Sequence, residues 1–285
     1  HSLVILVWSL VISAGCDRTS TPSTTTSAKS PRIASLVPAA TDLLIGMGAA
    51  DHLVAVSNWE TNRPEIASLP RVGDYQTTDW EKLAELKPDV MVIFMSGERM
   101  PAGIQQRADQ LHIKLVNVKP DRLDEVFSTI DRLGDIAGER AKSDALKQRI
   151  QAQLDAVAKR VAGKPPVPTL VARDEEGFAL VAGDTFVDSL LTIAGGKNVA
   201  SDFKTRYPNV DRERVIELAP AAIIQLIPDA TPQVIDRARQ TWQQVSQVPA
   251  VRDGRVYILT DWYVLQPGSH VGDLAEKFAE KLHPG

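Results

Sequence analysis

The sequence has one cysteine, few aromatic residues and no long apolar segment, and these scarcities exclude whole classes of protein. A single cysteine among 285 residues cannot form a disulfide within the chain. The longest apolar run, residues 3–14, falls short of the roughly 20 residues that a membrane-spanning helix needs. A net charge of −4 provides no basic surface for nucleic acid. With 44% hydrophobic and 24% charged residues, the composition is that of an ordinary globular protein.

Catalytic signatures are also missing from the sequence. It contains no Gly-x-Ser-x-Gly, no His-Glu-x-x-His and no Walker loop. His52 is expected at the surface, at a helix end. We therefore expect neither an enzyme nor a metal site. The sequence has five histidines, and their spacing is not that of metal ligands: His1, His52, His112, His270 and His283.

The N-terminal segment has the pattern of an export signal. An apolar core ends in small residues, and Ser13-Ala-Gly-Cys16 resembles a bacterial lipobox, in which the cysteine is lipidated. We expect residues 1–16 to be a lipoprotein signal peptide and Cys16 to be the lipidation site; an incidental cysteine is the alternative. Because a basic region is absent before the apolar core, we expect the natural start to lie upstream of His1.

The segment after Cys16 is predicted to be a flexible tether. Of the 15 residues at 17–31, 11 are Ser, Thr or Pro, a composition that buries too little apolar surface to order itself. Its reach is about 20 Å by random-coil scaling. A lipid anchor, a tether and a folded region form a consistent arrangement for a protein held at a membrane.

From residue 32 onward, apolar strand-like runs alternate with helical segments, which predicts an α/β fold with parallel strands. Thr41 is a candidate N-cap for the first helix. Residues 121–161 are helical in pattern, with a break expected near Gly138. The prediction is therefore an N-terminal α/β lobe at 32–120, linking helices at 121–163 and a C-terminal α/β lobe at 164–285. The two parallel-type sheets would be joined by a single long helix, with a ligand cleft between the lobes.

An internal repeat supports the two-lobe prediction. Residues 75–88 align without gaps to residues 207–220 at a constant offset of 132, and six of the 14 positions are identical. The repeat places Glu81 and Glu213 at equivalent positions, and each copy leads into an apolar strand. Two similar lobes would present their strand-end loops to one cleft, where ligands of parallel sheets bind.

Aromatic residues make up only 5% of the chain, yet several are predicted at strand ends or at the start of the repeated helices. Rigid rings with polar tips suit contact with a large ligand. The alternative is that each ring packs in local core. The six aromatic residues are Trp59, Tyr75, Phe94, Tyr207, Trp262 and Tyr263.

Several separated motifs together resemble a known family. They are Pro-Ala-Ala-Thr-Asp at 38–42, Leu-Lys-Pro-Asp-Val at 86–90 and Ala-Gly-Gly-Lys-Asn-Val at 194–199. With the long helical segment, they are similar to the class III, helix-backbone periplasmic substrate-binding proteins. These proteins serve ABC importers for cobalamin, siderophores and haem. The resemblance covers residues 32–283 and is strongest to the cobalamin-binding members.

The resemblance implies roles for individual residues. Thr260-Asp-Trp-Tyr263 is similar to a loop that holds the corrin ring in the family. Glu81 and Glu213 match the glutamates that pair with permease arginines, and two equivalent carboxylates suit a two-fold symmetric partner. They could instead be ordinary acids favoured by the helix dipole. The implied ligand-binding residues are Trp59, Tyr75, Phe94, Tyr207, Asp261, Trp262, Tyr263, Val264 and Leu265.

The function implied by the resemblance is capture of a corrinoid outside the cytoplasm and its delivery to the permease dimer of an ABC importer. We expect a monomer without a resident cofactor, anchored by lipid to a membrane on the periplasmic side of the envelope. Haem or a ferric siderophore is the alternative ligand, with Tyr75 as a candidate iron ligand. An extracytoplasmic enzyme or sensor on the same scaffold is the least favoured alternative.

Overall fold

A computed structural model describes residue 1 and residues 30–60, 63–74, 77–95 and 102–284. The predicted lipidation site Cys16 and the predicted ligand contact Tyr75 lie outside these ranges. No helix within them is both long enough and apolar enough to span a bilayer.

The N-terminal lobe is built on a parallel four-stranded sheet. Its strands are β1 (Ile33–Ser35), β2 (Leu53–Val56), β3 (Val90–Ile93) and β4 (Lys114–Asn117). They lie in the order β2-β1-β3-β4. All four residues of β3 are buried, as expected where helices cover both faces of a parallel sheet. The helices of this lobe are α1 (Pro38–Gly46), α2 (Trp80–Leu86) and α3 (Ala102–Gln110).

Two helices, α4 (Leu123–Ala137) and α5 (Arg140–Val161), connect the lobes. The expected break near residue 138 is present, because Gly138 has a φ of 72°, a left-handed conformation that favours glycine. The connection is thus a pair of packed helices instead of one uninterrupted helix. Gly134 lies directly against Ser143, where an added Cβ would clash, so small side chains let the two helices pack closely.

The C-terminal lobe repeats the sheet of the first. Its strands are β5 (Val167–Ala172), β6 (Gly196–Asn198), β7 (Ala222–Leu226) and β8 (Val256–Leu259). They are parallel and lie in the order β6-β5-β7-β8, which matches the order in the N-terminal lobe. The helices are α6 (Phe186–Ile193), α7 (Arg212–Leu218), α8 (Pro232–Gln243), α9 (Pro249–Arg252) and α10 (Val271–Leu282). The α/β class with two parallel sheets is confirmed.

The sequence repeat corresponds to α2 and α7, which begin in the same way. The Asp79 carboxylate accepts a hydrogen bond from the backbone N–H of Lys82 at 3.0 Å, and Asp211 accepts one from Arg214 at 2.8 Å. Such capping satisfies backbone donors that the first turn leaves free. Each helix then ends on a left-handed residue and leads into a buried strand, β3 or β7.

Two local predictions were wrong. Thr41 does not cap the first helix, because α1 already begins at Pro38, whose fixed φ suits a first turn. Thr41 is buried and donates to the Ser35 hydroxyl at 2.9 Å. His52 is buried rather than exposed, and its Nδ1 lies 3.0 Å from the carbonyl oxygen of Pro31.

A continuous hydrophobic core runs through both lobes and the connecting helices. Because these side chains pack against one another, the lobes cannot separate without exposing apolar surface. Members of this core from α1, α4, α5, α6 and α10 include Leu43, Leu133, Ile150, Leu190 and Phe278.

Candidate ligand-binding cleft

The cleft between the lobes lies at the carboxyl ends of the strands, where loops from both sheets meet. Loops after β2, β7 and β8 enclose a cavity of about 700 Å³, which we call the polar cavity. Ligands of parallel α/β sheets bind at this edge, since strand-end loops converge there. The polar cavity is lined by Glu60, Arg63, Pro64, Glu65, Asp229, Trp262 and His270.

A second cavity of about 350 Å³, the apolar cavity, lies beside the first. It is formed by loops after β1, β3, β4, β7 and β8, so both lobes contribute to it. Trp262 lines both cavities and therefore stands at their boundary. The apolar side chains of this second cavity include Phe94, Pro120, Pro228, Trp262, Leu265 and Pro267.

The Trp262 ring is held by neighbours on several sides. The Arg63 guanidinium lies 4.5 Å from its ring centroid, a distance typical of a cation–π contact. Tyr263 and His270 meet Trp262 edge-on, with centroids at 5.6 and 5.2 Å, and stack on each other at 4.8 Å. Burial raises the pKa of Tyr263 to about 12, so its hydroxyl stays neutral. The ring is thus positioned before any ligand arrives.

A buried carboxylate ties the lobes together beneath the cleft. Asp42 on α1 pairs with Arg63 at 2.5 Å and accepts hydrogen bonds from Ser269, at 2.6 Å from the backbone and 2.9 Å from the hydroxyl. Nearby, the Gln266 side chain donates to the Pro38 carbonyl at 2.8 Å. Because these bonds join α1 to the loop after β8, they fix how the two walls of the cleft face each other.

Glu60 is the most perturbed acid of the cleft. The residue is only 9% exposed, and its Oε1 has no hydrogen-bond partner among the described residues. Burial raises the pKa of Glu60 from 4.5 to about 7, although the Thr41 hydroxyl and the Arg63 and Arg71 guanidinium groups oppose the rise. The cleft therefore holds a carboxyl group that changes charge near neutral pH.

Of the predicted ligand contacts, Phe94 and Leu265 line the apolar cavity and Trp262 lines both cavities. Tyr263 packs against the Trp262 ring and does not line either cavity. Val264 is fully buried in the hydrophobic core.

The other described contacts are not lining residues of the polar or the apolar cavity. Trp59 is 72% exposed and its indole N–H donates to Asp74 at 3.1 Å. Tyr207 is half-exposed beneath Arg173, whose guanidinium lies 4.8 Å from the ring centroid. Burial, followed by the charge of Asp121, raises the pKa of Tyr207.

Asp261 pairs with Lys277 of α10 at 3.1 Å. Glu81 and Glu213 are exposed in the first turns of α2 and α7, and neither belongs to the lining of the polar or the apolar cavity.

The charged lining of the polar cavity was not predicted from the sequence. Glu60, Arg63 and Glu65 follow β2, Asp229 follows β7 and His270 follows β8. The one feature of the sequence that could have indicated these residues is their position in loops that follow strands. Within the described ranges, no three His, Cys, Asp or Glu side chains are grouped so that they could hold a metal ion.

Comparisons with known proteins agree with this architecture. A family model described as periplasmic binding protein matches residues 33–263. The uncharacterized ABC transporter substrate-binding lipoprotein YvrC of Bacillus subtilis is 24% identical, over 89% of this chain and 80% of its own length. The periplasmic vitamin B12 binding protein BtuF of Vibrio cholerae has a solved structure with 25% identity and a TM-score of 0.72, over 89% of this chain and 96% of that chain.

The fold is shared more widely. The structure of the periplasmic heme binding protein HutB of Vibrio cholerae gives a TM-score of 0.76 at 24% identity, covering 89% of this chain and 99% of that chain. The resemblance to class III binding proteins is confirmed. With two matching parallel sheets, a cleft between them and a family model that spans most of the fold, this chain belongs to the periplasmic binding protein family.

Proposed function

We propose that this protein is the extracytoplasmic receptor of an ABC importer and that it captures a corrinoid. The observation that carries the proposal is the position of Trp262, a fixed aromatic ring between a polar and an apolar cavity. A corrinoid combines broad ring faces with a rim of polar side chains. Its faces would contact the aromatic and apolar groups, while its rim would meet the polar cavity.

The size of the cleft supports a large ligand. Binding pockets for drug-sized molecules have volumes of roughly 300–1,000 Å³. The polar cavity alone has about 700 Å³, and the apolar cavity continues it on the other side of Trp262. The relationship to vitamin B12 binding protein BtuF supports a corrinoid among large ligands.

Haem or a ferric siderophore is the second candidate, since HutB, a heme binding protein, has the same fold. Titration with cyanocobalamin and, separately, with haemin distinguishes the candidates. We expect calorimetric binding of cyanocobalamin at micromolar concentration or below. No heat of binding in that range would refute the corrinoid function. Haemin binding with the absorbance of a tyrosinate-ligated iron would favour the second candidate and point to Tyr75.

Delivery to the permease is proposed to involve Glu81 and Glu213. The two carboxylates are exposed at equivalent positions of the repeated helices, one on each lobe. Exposed ion pairs contribute about 0–1 kcal/mol each, so their main effect would be orientation and association rate. Two equivalent acids on two lobes suit a partner with two-fold symmetry.

Alanine substitution tests the docking role. Replacing Glu81 and Glu213 together should reduce ligand uptake by cells that carry the importer, while ligand affinity of the purified protein stays unchanged. Glu85 and Glu217 are exposed on the same two helices and supply the matched control pair. Equal uptake by the two double variants would contradict the docking role.

Membrane attachment is proposed to occur through lipidated Cys16, as the lipoprotein name of YvrC supports. Replacing Cys16 with Ser should move the protein, expressed with a complete signal peptide, from the membrane fraction to the soluble extracytoplasmic fraction. Retention of the variant in the membrane fraction would contradict the anchor.

A further inference from the structure

A buried carboxyl group in the polar cavity has no role in contact with a flat ring face. We infer that Glu60 determines ligand specificity: it hydrogen bonds to a carboxamide on the rim of the ligand and rejects a ligand that carries a carboxylate there. This inference rests on the proposed corrinoid function, since corrinoids have carboxamide side chains and haem has carboxylates.

The geometry at Glu60 indicates that a partner is missing. Glu60 is nine-tenths buried and lines the polar cavity, and its Oε1 has no hydrogen-bond partner within the described part of the chain. A buried polar atom without a partner costs about 1–3 kcal/mol, so nearly all such atoms in folded proteins are paired. Oε1 itself exposes almost no surface, so a ligand N–H group at this wall would become its partner after the Glu60 side chain turns toward the cavity.

The surrounding charges select against an anionic ligand. Arg63 is already paired with Asp42 at 2.5 Å, and His270 with Asp273 at 2.7 Å. Glu65 and Asp229 add further carboxylates to the same lining. A ligand carboxylate would therefore meet negative charge, while the guanidinium group of Arg63 is already engaged by Asp42, and repulsion of this kind is an effective source of specificity.

The ionisation of Glu60 makes this selection depend on pH. Its surroundings are Arg63 and Arg71 on its own side, Thr41 and Asp42 on α1, and Glu65, Asp229 and His270 across the cavity. With a pKa of about 7, Glu60 is mostly neutral in mild acid and charged in mild base. A carboxamide on the ligand both donates and accepts hydrogen bonds, so it can bind to neutral or charged Glu60. A carboxylate on the ligand only accepts hydrogen bonds, so it can bind only to protonated Glu60.

Matched ligands test the inference directly. Cyanocobalamin is compared by calorimetry with its monocarboxylic acids, in which one side-chain amide is hydrolysed. The wild-type protein should bind at least one of these acids about 10-fold more weakly than the amide, as expected for loss of one hydrogen bond to a buried charged group. This ratio should grow between about pH 5.5 and pH 8.5 as Glu60 ionises.

Three variants complete the test. Glu60→Gln keeps hydrogen-bonding capacity without charge, so we expect cyanocobalamin affinity within about threefold of wild type and little discrimination against the acid at either pH. Glu60→Ala should weaken cyanocobalamin binding about 10-fold. Glu65→Gln removes a more exposed carboxylate from the same cavity, so it should lower the ratio less than Glu60→Gln does and should keep the increase of the ratio with pH. Thermal unfolding verifies that each variant is folded.

The outcomes separate this inference from the proposed function. Cyanocobalamin binding with equal discrimination by wild type and Glu60→Gln would overturn the role of Glu60 and leave the corrinoid function intact. If cyanocobalamin does not bind, the corrinoid function fails, and haemin becomes the probe. In that case Glu60→Gln should bind haemin about fivefold more tightly than wild type, because a negative charge has been removed. Equal haemin affinities would overturn the inference.

Discussion

Replacing Glu60 with Gln should make the stability of the folded protein less dependent on pH. In the wild-type protein burial raises the pKa of Glu60 from 4.5 to about 7. The folded state therefore holds this proton more tightly than the unfolded state does. The stability linked to the proton is complete below about pH 4.5 and is lost as the pH rises through 7. The amide side chain of the Glu60→Gln variant would carry no charge at any of these pH values.

The magnitude follows from the two pKa values. A pKa of about 7 in place of 4.5 corresponds to roughly 3 kcal/mol between the fully protonated and fully ionised limits. Relative to wild type, the variant should therefore gain roughly 2–3 kcal/mol of unfolding free energy between about pH 5 and pH 8.5. For a fold of this size, the Tm of the variant minus that of the wild type should therefore increase by roughly 5–10 °C over this pH range.

Thermal or urea unfolding of both proteins across this pH range measures the effect. Glu65→Gln is the control, since Glu65 lines the same cavity but is 45% exposed. This variant shows the effect of losing one carboxylate from the cavity without changing the buried site of Glu60. A constant stability difference between Glu60→Gln and wild type across the range would refute the reasoning, because it would mean that Glu60 keeps the same pKa in the folded and unfolded states.

Three further substitutions test a hydrogen bond beneath the cleft, the aromatic ring of the cleft and a buried hydrogen bond within the C-terminal lobe. Ser269→Ala removes one hydrogen bond to buried Asp42 and should lower stability by about 1.5 kcal/mol in urea unfolding; an unchanged midpoint would contradict the tie between the lobes. Trp262→Ala should weaken cyanocobalamin binding at least about 10-fold in calorimetry, and wild-type affinity would exclude the ring from the site. Trp242→Phe breaks the 2.8 Å bond to buried Gln225 and should cost about 1–3 kcal/mol, measured by Tm; no loss would show that Gln225 finds another donor.

Secondary structure was predictable where the signals were local. The break near Gly138 was predicted and is present, since the left-handed conformation that ends α4 is a local preference of glycine. Strand β6 was not predicted. It has only three residues, with Lys197 exposed, and it exists through pairing with β5 rather than through its own pattern.

Buried polar residues were harder to predict. His52 lies in a 3₁₀ turn whose sequence is typical of an exposed segment. In the structure, however, its Nε2 lies 3.5 Å from Oε1 of Glu139, which is 87 positions away in the chain. The sequence favours Thr41 as an N-cap because a helix is expected to begin after it, whereas α1 begins about one turn earlier, at Pro38. The burial of His52 thus depends on a residue far away in the chain, and the position of Thr41 inside α1 depends on where that helix begins.

Some residues of the cleft were predictable from the sequence and others were not. Its aromatic and apolar members, Phe94, Trp262 and Leu265, were found from their places after strands and from a family resemblance. Glu60 and His270 were not found, because single polar residues in loops have no periodic pattern. They lie 210 positions apart in the chain and line the same cavity only after both sheets have formed.

The sequence by itself determined the two-lobed α/β plan. A repeat at an offset of 132 specifies two equivalent helix-and-strand units, and their caps and apolar runs are encoded locally. Only the tertiary structure decided the chemistry of the cleft. The pKa of Glu60 and the pairing of Arg63 with Asp42 depend on burial and on charges from separate loops. Those quantities arise from distances in space, which spacing along the chain does not contain.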